Sequence, residues 1–322
     1  MKKIIFFGGG KLLVNLIKIV IKKKIKYTIF TSPRHSKEVI FNQINFKNFL
    51  KRNNTNFHIT NKLSKDIVEK EIKNTNYIGI SIGSPWIFKK NIIKIFRSRL
   101  YNIHGANLPF DRGGGGFSWQ ILQNKDTGYS CLHKVNEKID NGNIIQTLKF
   151  KTKNFNNPVD WQNEYLKVST NIFEKNLNQL FNKKIKMRKQ LKKNSTYWPR
   201  IDTESHGWIN WNWSGEEILN FIKAFDDPYA GAHTQLNKKT FYFKNCKFIK
   251  KKNFHPFQYG LIINKTKKVL VVCVNNGIIQ INNIFNKQRK KINFKNFKVG
   301  DRFFTPMKKL EEALTKRVYF NL

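Results

Sequence analysis

At 322 residues, 40% hydrophobic and 14% aromatic, the chain has enough apolar material for two domains or one large α/β unit, which excludes a disordered polymer. Its formal net charge of +41 draws attention to nucleic acid, since lysines that neutralise phosphates release counterions. Yet only 10 of the 61 basic residues are Arg, the usual agent of bidentate phosphate or base readout. The lysine runs at 21–26 and 183–193 stand among abundant Asn, Ile and Phe, as the composition of an AT-rich genome would give.

The first residues, "MKKIIFFGGGKLLVNLIKIVI", have the charge-then-apolar look of a signal peptide, but three glycines, Lys11, Asn15 and Lys18 interrupt the apolar run and no small-residue cleavage site follows. They read as a strand buried on both faces that turns through glycine into a helix carrying Leu12, Leu13, Leu16, Ile17 and Val20. "GGGK" at Gly8–Lys11 stands where a dinucleotide fingerprint would, but lacks the G-x-G-x-x-G spacing. The next strand, "YTIFTS", ends without an acid to hold a ribose hydroxyl. A tight turn or a non-nucleotide ligand loop fits better.

A helix near 36–50, the strand "FHIT", a helix near 64–74, and the strands "YIGISIG" and "LYNIHG" follow. This rhythm predicts an α/β fold, a doubly wound, mostly parallel Rossmann-like sheet with helices on both faces. Strands near 129–135 and 143–151 come next, then a long helix opened by Asn157-Pro158 with a core stripe of Trp161, Tyr165, Val168, Ile172, Leu177 and Leu180. The basic stretch Asn182–Arg200 has no apolar periodicity and reads as an interdomain linker, placed at 182–206 between domains 1–181 and 207–322. Beyond it, Ser214 and Glu217 form a capping box ahead of a helix. "KVLVVCVNNGIIQINNI" is a hairpin with Asn276-Gly277 suited to a type I′ turn. Short strands with one helix suggest a smaller C-terminal β-barrel of OB type. Cys131, Cys246 and Cys273 are scattered without a C-x-x-C pair, so neither zinc nor a disulfide framework is indicated, and a reduced cytoplasmic setting fits.

Within strand 100–105, Asn102 and His104 point to one face, because strand side chains repeat every two residues. They lie at the carboxyl end of a parallel strand, where open α/β sheets place ligands. A carboxamide and an imidazole there can both hydrogen-bond an oxygen that gains negative charge. Asp140, in the turn of "VNEKIDNGNII", is the nearby carboxylate that could serve as base. Taken singly, each reads as readily as a buried hydrogen-bonded His or a turn Asp.

Taken together, "NIHGANLPFDRGG" and "DTGYSCLHKVNEKIDNGNII" resemble the 10-formyltetrahydrofolate-dependent formyltransferase family: Asn-x-His, Leu-Pro, Arg-Gly, Thr-Gly before a strand, and Asp-x-Gly about 36 residues past the His. "GWINWNWSGEEILNFIKAFDDPYAGAHT" resembles the start of the C-terminal domain in methionyl-tRNA formyltransferase and in aminosugar-formylating enzymes. The resemblance implies Asn102, His104 and Asp140 as a catalytic triad. A neutral primary amine would attack the N10-formyl carbon, His104 and Asn102 would stabilise the oxyanion, and Asp140 would take the amine's proton and keep His104 protonated. It implies 10-formyltetrahydrofolate as co-substrate, no metal, and a cofactor-side loop at Gly83, Ser84, Trp86 and Ile87.

For the acceptor, the long basic "PAGRGKK"-like insertion of the tRNA enzymes is absent after the second strand. Gly113–Gly116, followed by Phe117-Ser118-Trp119, replaces their bulkier, Pro-containing segment. Arg112, Gly114, Phe117 and Trp119 are thus the acceptor-side candidates. Phe117 and Trp119 would stack on a sugar or base, or Trp119 would merely pack the following helix. These departures favour a small-molecule amine, a nucleotide-linked aminosugar, over initiator methionyl-tRNA, which the basic linker and C-terminal domain keep open. No membrane partner is implied. A non-catalytic folate-binding module is disfavoured because all three catalytic residue types are present.

Overall fold

The structure, a computed structural model, describes residues 2–41, 43–72, 76–114, 116–153, 155–182, 185–251 and 253–318. β1 (Lys2–Gly8) leads into α1 (Gly10–Lys22), whose buried Leu12, Leu13, Leu16, Ile17 and Val20 face the sheet. Only glycine fits the turn between them: Gly8 has φ 129°, and a Cβ there would stand 1.9 Å from the Ile82 carbonyl oxygen. Gly8–Gly10 is therefore a close-packed turn.

After β2 (Lys26–Thr31), the helix expected near 36–50 does not form as one element. Instead come α2 (Pro33–Lys37), a small hairpin of β3 (Val39–Phe41) and β4 (Ile44–Asn45), and α3 (Phe46–Arg52). Two caps cut the segment: the Ser32 side chain accepts from the His35 N–H, and the Asn45 side chain from the Asn48 N–H. Between them, β-branched Val39 and Ile40 favour extended backbone.

β5 (Phe57–Ile59), α4 (Lys65–Lys70), β6 (Asn76–Ile82), α5 (Lys90–Ile95) and β7 (Leu100–His104) continue the alternation. The two-residue β8 (Arg112–Gly113), α6 (Gly116–Leu122), β9 (Thr127–Lys134), β10 (Ile144–Lys151) and α7 (Pro158–Leu180) complete the first unit. The seven-stranded sheet runs β10-β9-β7-β6-β1-β2-β5. Its members β1, β2, β5, β6 and β7 are parallel, whereas β9 is antiparallel to β7 and β10 to β9. Ile4 and Phe6 of β1 pack beneath α1 and α7, while Ile5 and Phe7 pack with Val68 of α4 and Ile92 of α5. Both faces are covered, as the continuous apolar strands require.

Beyond β11 (Tyr197–Trp198) and α8 (Thr203–His206), α9 (Gly215–Ala224) opens on the Ser214–Glu217 capping box. β12 (Ala232–Leu236), β13 (Lys239–Lys250), β14 (Ile262–Lys265), β15 (Leu270–Val274) and β16 (Gly277–Phe285) form an antiparallel sheet in the order β12-β13-β16-β15-β14. Leu261 bridges Arg302 at one edge and Gln235 bridges Phe304 at the other, so residues 302–304 draw the two edges together into a small OB-like barrel. The β15–β16 turn falls one residue earlier than expected. Val274 pairs with Gly277, Asn276 takes φ 63°, and Gly277 is instead where the strand passes close under the Ile249 carbonyl. α10 (Met307–Thr315) follows. Ile121, Phe150 and Trp161 of the first unit share one apolar cluster with Ile218, Phe221 and Phe225. Ser118 Oγ adds a 2.8 Å bond to the Ala224 carbonyl. Among the described residues, no helix is long and apolar enough to cross a membrane.

A charged knot ties the sheet to the residue after α4. The Glu71 carboxylate accepts from Lys3 Nζ (3.0 Å), Thr28 Oγ1 (2.9 Å), Asn56 Nδ2 (3.0 Å) and His58 Nε2 (2.8 Å). Burial works to raise its pKa, but the bonds from His58, Lys3 and Thr28 and the Lys3 charge together outweigh it and bring it to about 2. A carboxyl depressed on folding stabilises above its unfolded pKa and loses that contribution as pH falls through the folded one. Wild-type stability is therefore expected to drop by roughly 3 kcal/mol from this group between about pH 4.5 and 2. Glu71→Gln should flatten that part of the curve, as urea midpoints across the range would show; an unchanged slope would contradict the assignment.

Candidate active site

β7 lies between β6 and β9, and its carboxyl end presents Asn102 and His104 on one face. Asp140 reaches them from the β9–β10 connection, with φ 49°, a left-handed conformation that Asp tolerates better than most residues. The Asp140 Oδ2 atom lies 3.7 Å from His104 Nδ1 and accepts from the Gly113 N–H at 3.1 Å. Its Oδ1 accepts from Asn102 Nδ2 at 3.4 Å. The three residues proposed from sequence, 38 positions apart at most, thus converge.

A second histidine, His133, completes the cluster and was not legible in the sequence. It pairs with Asn102 across the antiparallel β7–β9 ladder, is 2% exposed, and places Nε2 3.6 Å from Asp140 Oδ1. Its Nδ1–H donates to the Lys134 carbonyl at 2.9 Å, leaving Nε2 to accept from Asn102 Nδ2 at 3.1 Å. That pair fixes the carboxamide with its NH2 towards the carboxylate. His104 Nε2–H donates to the Asp111 carbonyl at 2.8 Å, so Nδ1 is the nitrogen turned to Asp140. Burial works to raise the Asp140 pKa, but the facing imidazoles of His104 and His133 and the Gly113 N–H hold the carboxyl well below the usual carboxylate range. The cluster therefore sets an ionised proton acceptor beside an amide donor and an imidazole.

The segment 185–200, which composition marks as a linker, lies against this cluster. β11 pairs in parallel with β8, and the Gly114 N–H donates to the Trp198 carbonyl at 3.0 Å. Gly113 has φ 105°, and a Cβ there would meet the Trp198 carbonyl oxygen at 2.2 Å. Gly114 lies tight against Arg200, with 3.1 Å from its Cβ position to Arg200 Cβ, while Gly116 meets the Gly105 carbonyl at an ordinary 3.6 Å. Of the run, Gly113 is thus the glycine required by the close passage of 197–200; Gly115 lies outside the described residues. The Trp119 Nε1–H donates to the Pro199 carbonyl at 2.7 Å, and its ring lies 5.2 Å from that of Trp198. Phe117 packs against Tyr165 and Trp161. Arg112 is half-buried, and Asp111 binds Lys125 (2.7 Å) and Trp198 Nε1 (3.0 Å).

At the end of β6, Gly83 has φ 55° and nothing within 4 Å of a Cβ position, so the loop is open there. Ser84 Oγ accepts from the Trp86 N–H at 3.2 Å. The Trp86 indole turns into the core and donates to the Asn61 carbonyl at 2.9 Å, while Ile87 is 57% exposed.

Residues 202–302 match the family described as formyl transferase, C-terminal domain. A methionyl-tRNA formyltransferase of Borrelia turicatae is 28% identical over 245 residues, 74% of this chain and 77% of that one. Another, from Borrelia duttonii, is 30% identical over 220 residues, 67% of this chain and 69% of its own length. Among solved structures, an N-formyltransferase from Helicobacter canadensis superposes with a TM-score of 0.68 at 21% identity, over 91% of this chain and all (100%) of that one. The catalytic unit and the C-terminal barrel are matched together, and the chain belongs to the formyltransferase family of enzymes.

Proposed function

We propose that the enzyme moves the formyl group of 10-formyltetrahydrofolate to a primary amine at Asn102, His104 and Asp140. The convergence of these three side chains at the end of β7 is the observation that carries this reading. The amine nitrogen bonds to the formyl carbon and the carbonyl electron pair moves onto oxygen. One Asn102 Nδ2–H leaves its long 3.4 Å bond to Asp140 Oδ1 for that oxyanion, and His104 Nε2–H rests on the Asp111 carbonyl until the oxyanion competes for it. Asp140 takes the amine's proton, directly or through one water. Collapse breaks the carbon–N10 bond, and the proton passes to N10 as tetrahydrofolate leaves. Gly83, Ser84 and the backbone to Ile87 form the folate side, in keeping with the open space at Gly83. The Helicobacter canadensis neighbour is described in complex with folinic acid and dTDP-3-aminofucose.

The acceptor we favour is a nucleotide-linked aminosugar. After β2 the chain makes only α2 and a short hairpin where the tRNA enzymes carry a basic insertion. Arg34 and half-buried Arg200 are close enough for each charge to act on the other, and Arg200 borders Gly114. Arg34 pairs with Glu38 at 3.3 Å, and guanidinium groups are the bidentate chemistry that the phosphates of a sugar nucleotide would use. Initiator methionyl-tRNA is the second reading, favoured by the 28–30% identity to methionyl-tRNA formyltransferases. A cytoplasmic setting suits the three buried free cysteines.

An acceptor panel separates these readings. With 10-formyltetrahydrofolate, tetrahydrofolate release is expected at least about 100-fold faster with dTDP-3-aminofucose or another nucleotide-linked aminosugar than with initiator methionyl-tRNA, a gap of about 2.7 kcal/mol. The reverse order would overturn the sugar assignment. Failure of every amine would replace the transferase with a folate-binding module.

A further inference from the structure

Gln190 lies outside the three-residue cluster, in the stretch whose composition reads as a linker, yet it is 8% exposed. Its Nε2 donates one hydrogen to the Asp140 carbonyl at 2.9 Å and the other to the Gly142 carbonyl at 2.7 Å. Two residues earlier, Arg188 exchanges both backbone bonds with Ile144, at 2.7 and 2.8 Å. The stretch thus joins the start of β10 through one antiparallel bridge, just past the loop that carries Asp140. The Gln190 Oε1 atom meets no hydrogen-bond donor among the described residues. An unpaired buried acceptor costs about 1–3 kcal/mol, so the two donated bonds, not the amide's own satisfaction, give the residue its use.

The loop needs such a hold. Asp140 sits at φ 49°, and the tight-turn bond across it, Asn141 N–H to the Lys138 carbonyl, is long at 3.4 Å. The same segment also secures the other side of the carboxylate: the Gly113 N–H that meets Asp140 Oδ2 belongs to β8, which pairs with Tyr197–Trp198. We infer that Gln190 is a positioning residue for Asp140, holding the main chain of the 140–142 loop so that the carboxylate meets the Gly113 N–H, Asn102 and His104 in one geometry. With β11, it makes residues 188–198 a brace across both loops of the site. This rests on the reading of Asp140 as the proton acceptor, and the experiment separates the two.

Gln190→Met keeps length and packing and removes both donors. Assayed with 10-formyltetrahydrofolate and both dTDP-3-aminofucose and initiator methionyl-tRNA, it is expected to lower kcat about 10- to 100-fold, as a displaced catalytic group does. Both KM values should stay within about twofold. In an Asp140→Asn background the same change should cost nothing further, because its effect runs through the carboxylate. Wild-type kcat, or an equal loss in both backgrounds, would overturn the proposal. NMR titration of the Asp140 carboxyl gives a readout independent of turnover. His104 of β7 and His133 of β9 face that group, and Cys131 and Tyr165 feel its charge from farther off. Gln190→Met should move the carboxyl's midpoint upward as the Gly113 contact loosens; an unmoved midpoint overturns the positioning role, even if Asp140→Asn proves active and the catalytic reading fails by itself. Should Gln190→Met not fold, Gln190→Asn, one methylene short of the two carbonyls, is read by the same criteria.

Discussion

Asp140→Asn is expected to lower kcat by about a thousand-fold or more, within the range a lost general base gives, while the KM for 10-formyltetrahydrofolate changes less than about threefold. The substitution is nearly isosteric, so the loop and its bonds to Gln190 remain. What is lost is the proposed proton acceptor, together with the carboxylate that faces His104 at 3.7 Å and His133 at 3.6 Å. The wild-type pH profile carries a linked expectation. The facing imidazoles and the Gly113 N–H hold the folded Asp140 carboxyl well below its ordinary range. It stays ionised as pH falls through about 4, where a free Asp would protonate. The kcat profile should therefore show no loss from this group near pH 4. The sign for stability is the same: a depressed carboxyl contributes above its unfolded pKa and withdraws that contribution only as pH falls towards the folded one. Near-wild-type turnover in the Asn variant would remove Asp140 from the mechanism.

Gly142→Ala is expected to cost roughly 3 kcal/mol of folding stability, the scale of an unrelieved backbone conflict, and at least about a hundredfold in kcat. A Cβ at Gly142 would stand 1.7 Å from the Lys134 carbonyl oxygen and 2.6 Å from its carbon. Both are main-chain atoms of β9, so no side chain can rotate aside. Lys134 also makes the closing bond of the hairpin, its N–H donating to the Asn143 carbonyl at 2.9 Å. Relief must move the 140–143 loop, and with it both the Asp140 carboxylate and the carbonyl that Gln190 holds. Denaturant midpoints and kcat measured together test this. A midpoint and rate equal to wild type would mean that the loop does not close on Lys134 as described.

Where side-chain pattern and backbone chemistry are local, the chain declares them. The apolar run of β1, the stripe of α7 behind Asn157-Pro158 and the capping box at Ser214 all read directly, because each depends on residues within one or two turns. The region after β2 did not: its apolar spacing suits a helix, but the Ser32 and Asn45 caps divide it. The glycine run was likewise ambiguous, since nothing nearby in sequence says that the Trp198 carbonyl oxygen would stand 2.2 Å from a Cβ at Gly113.

By itself, the sequence determined the α/β class, the barrel-like second unit and a candidate trio of Asn102, His104 and Asp140 with its family resemblance, since periodicity and motif spacing are properties of the chain. Only the tertiary structure decided that His133 joins them, through the Asn102–His133 register of β9 on β7. It also decided that Gln190 and Trp198, from a stretch with no periodicity to betray a buried side, brace both loops of the site. These contacts span 50 and 87 residues for Gln190–Asp140 and Trp198–Asp111. Such pairings exist only once the sheet has formed and brought distant backbone donors and acceptors within hydrogen-bonding reach, where burial requires each to find a partner.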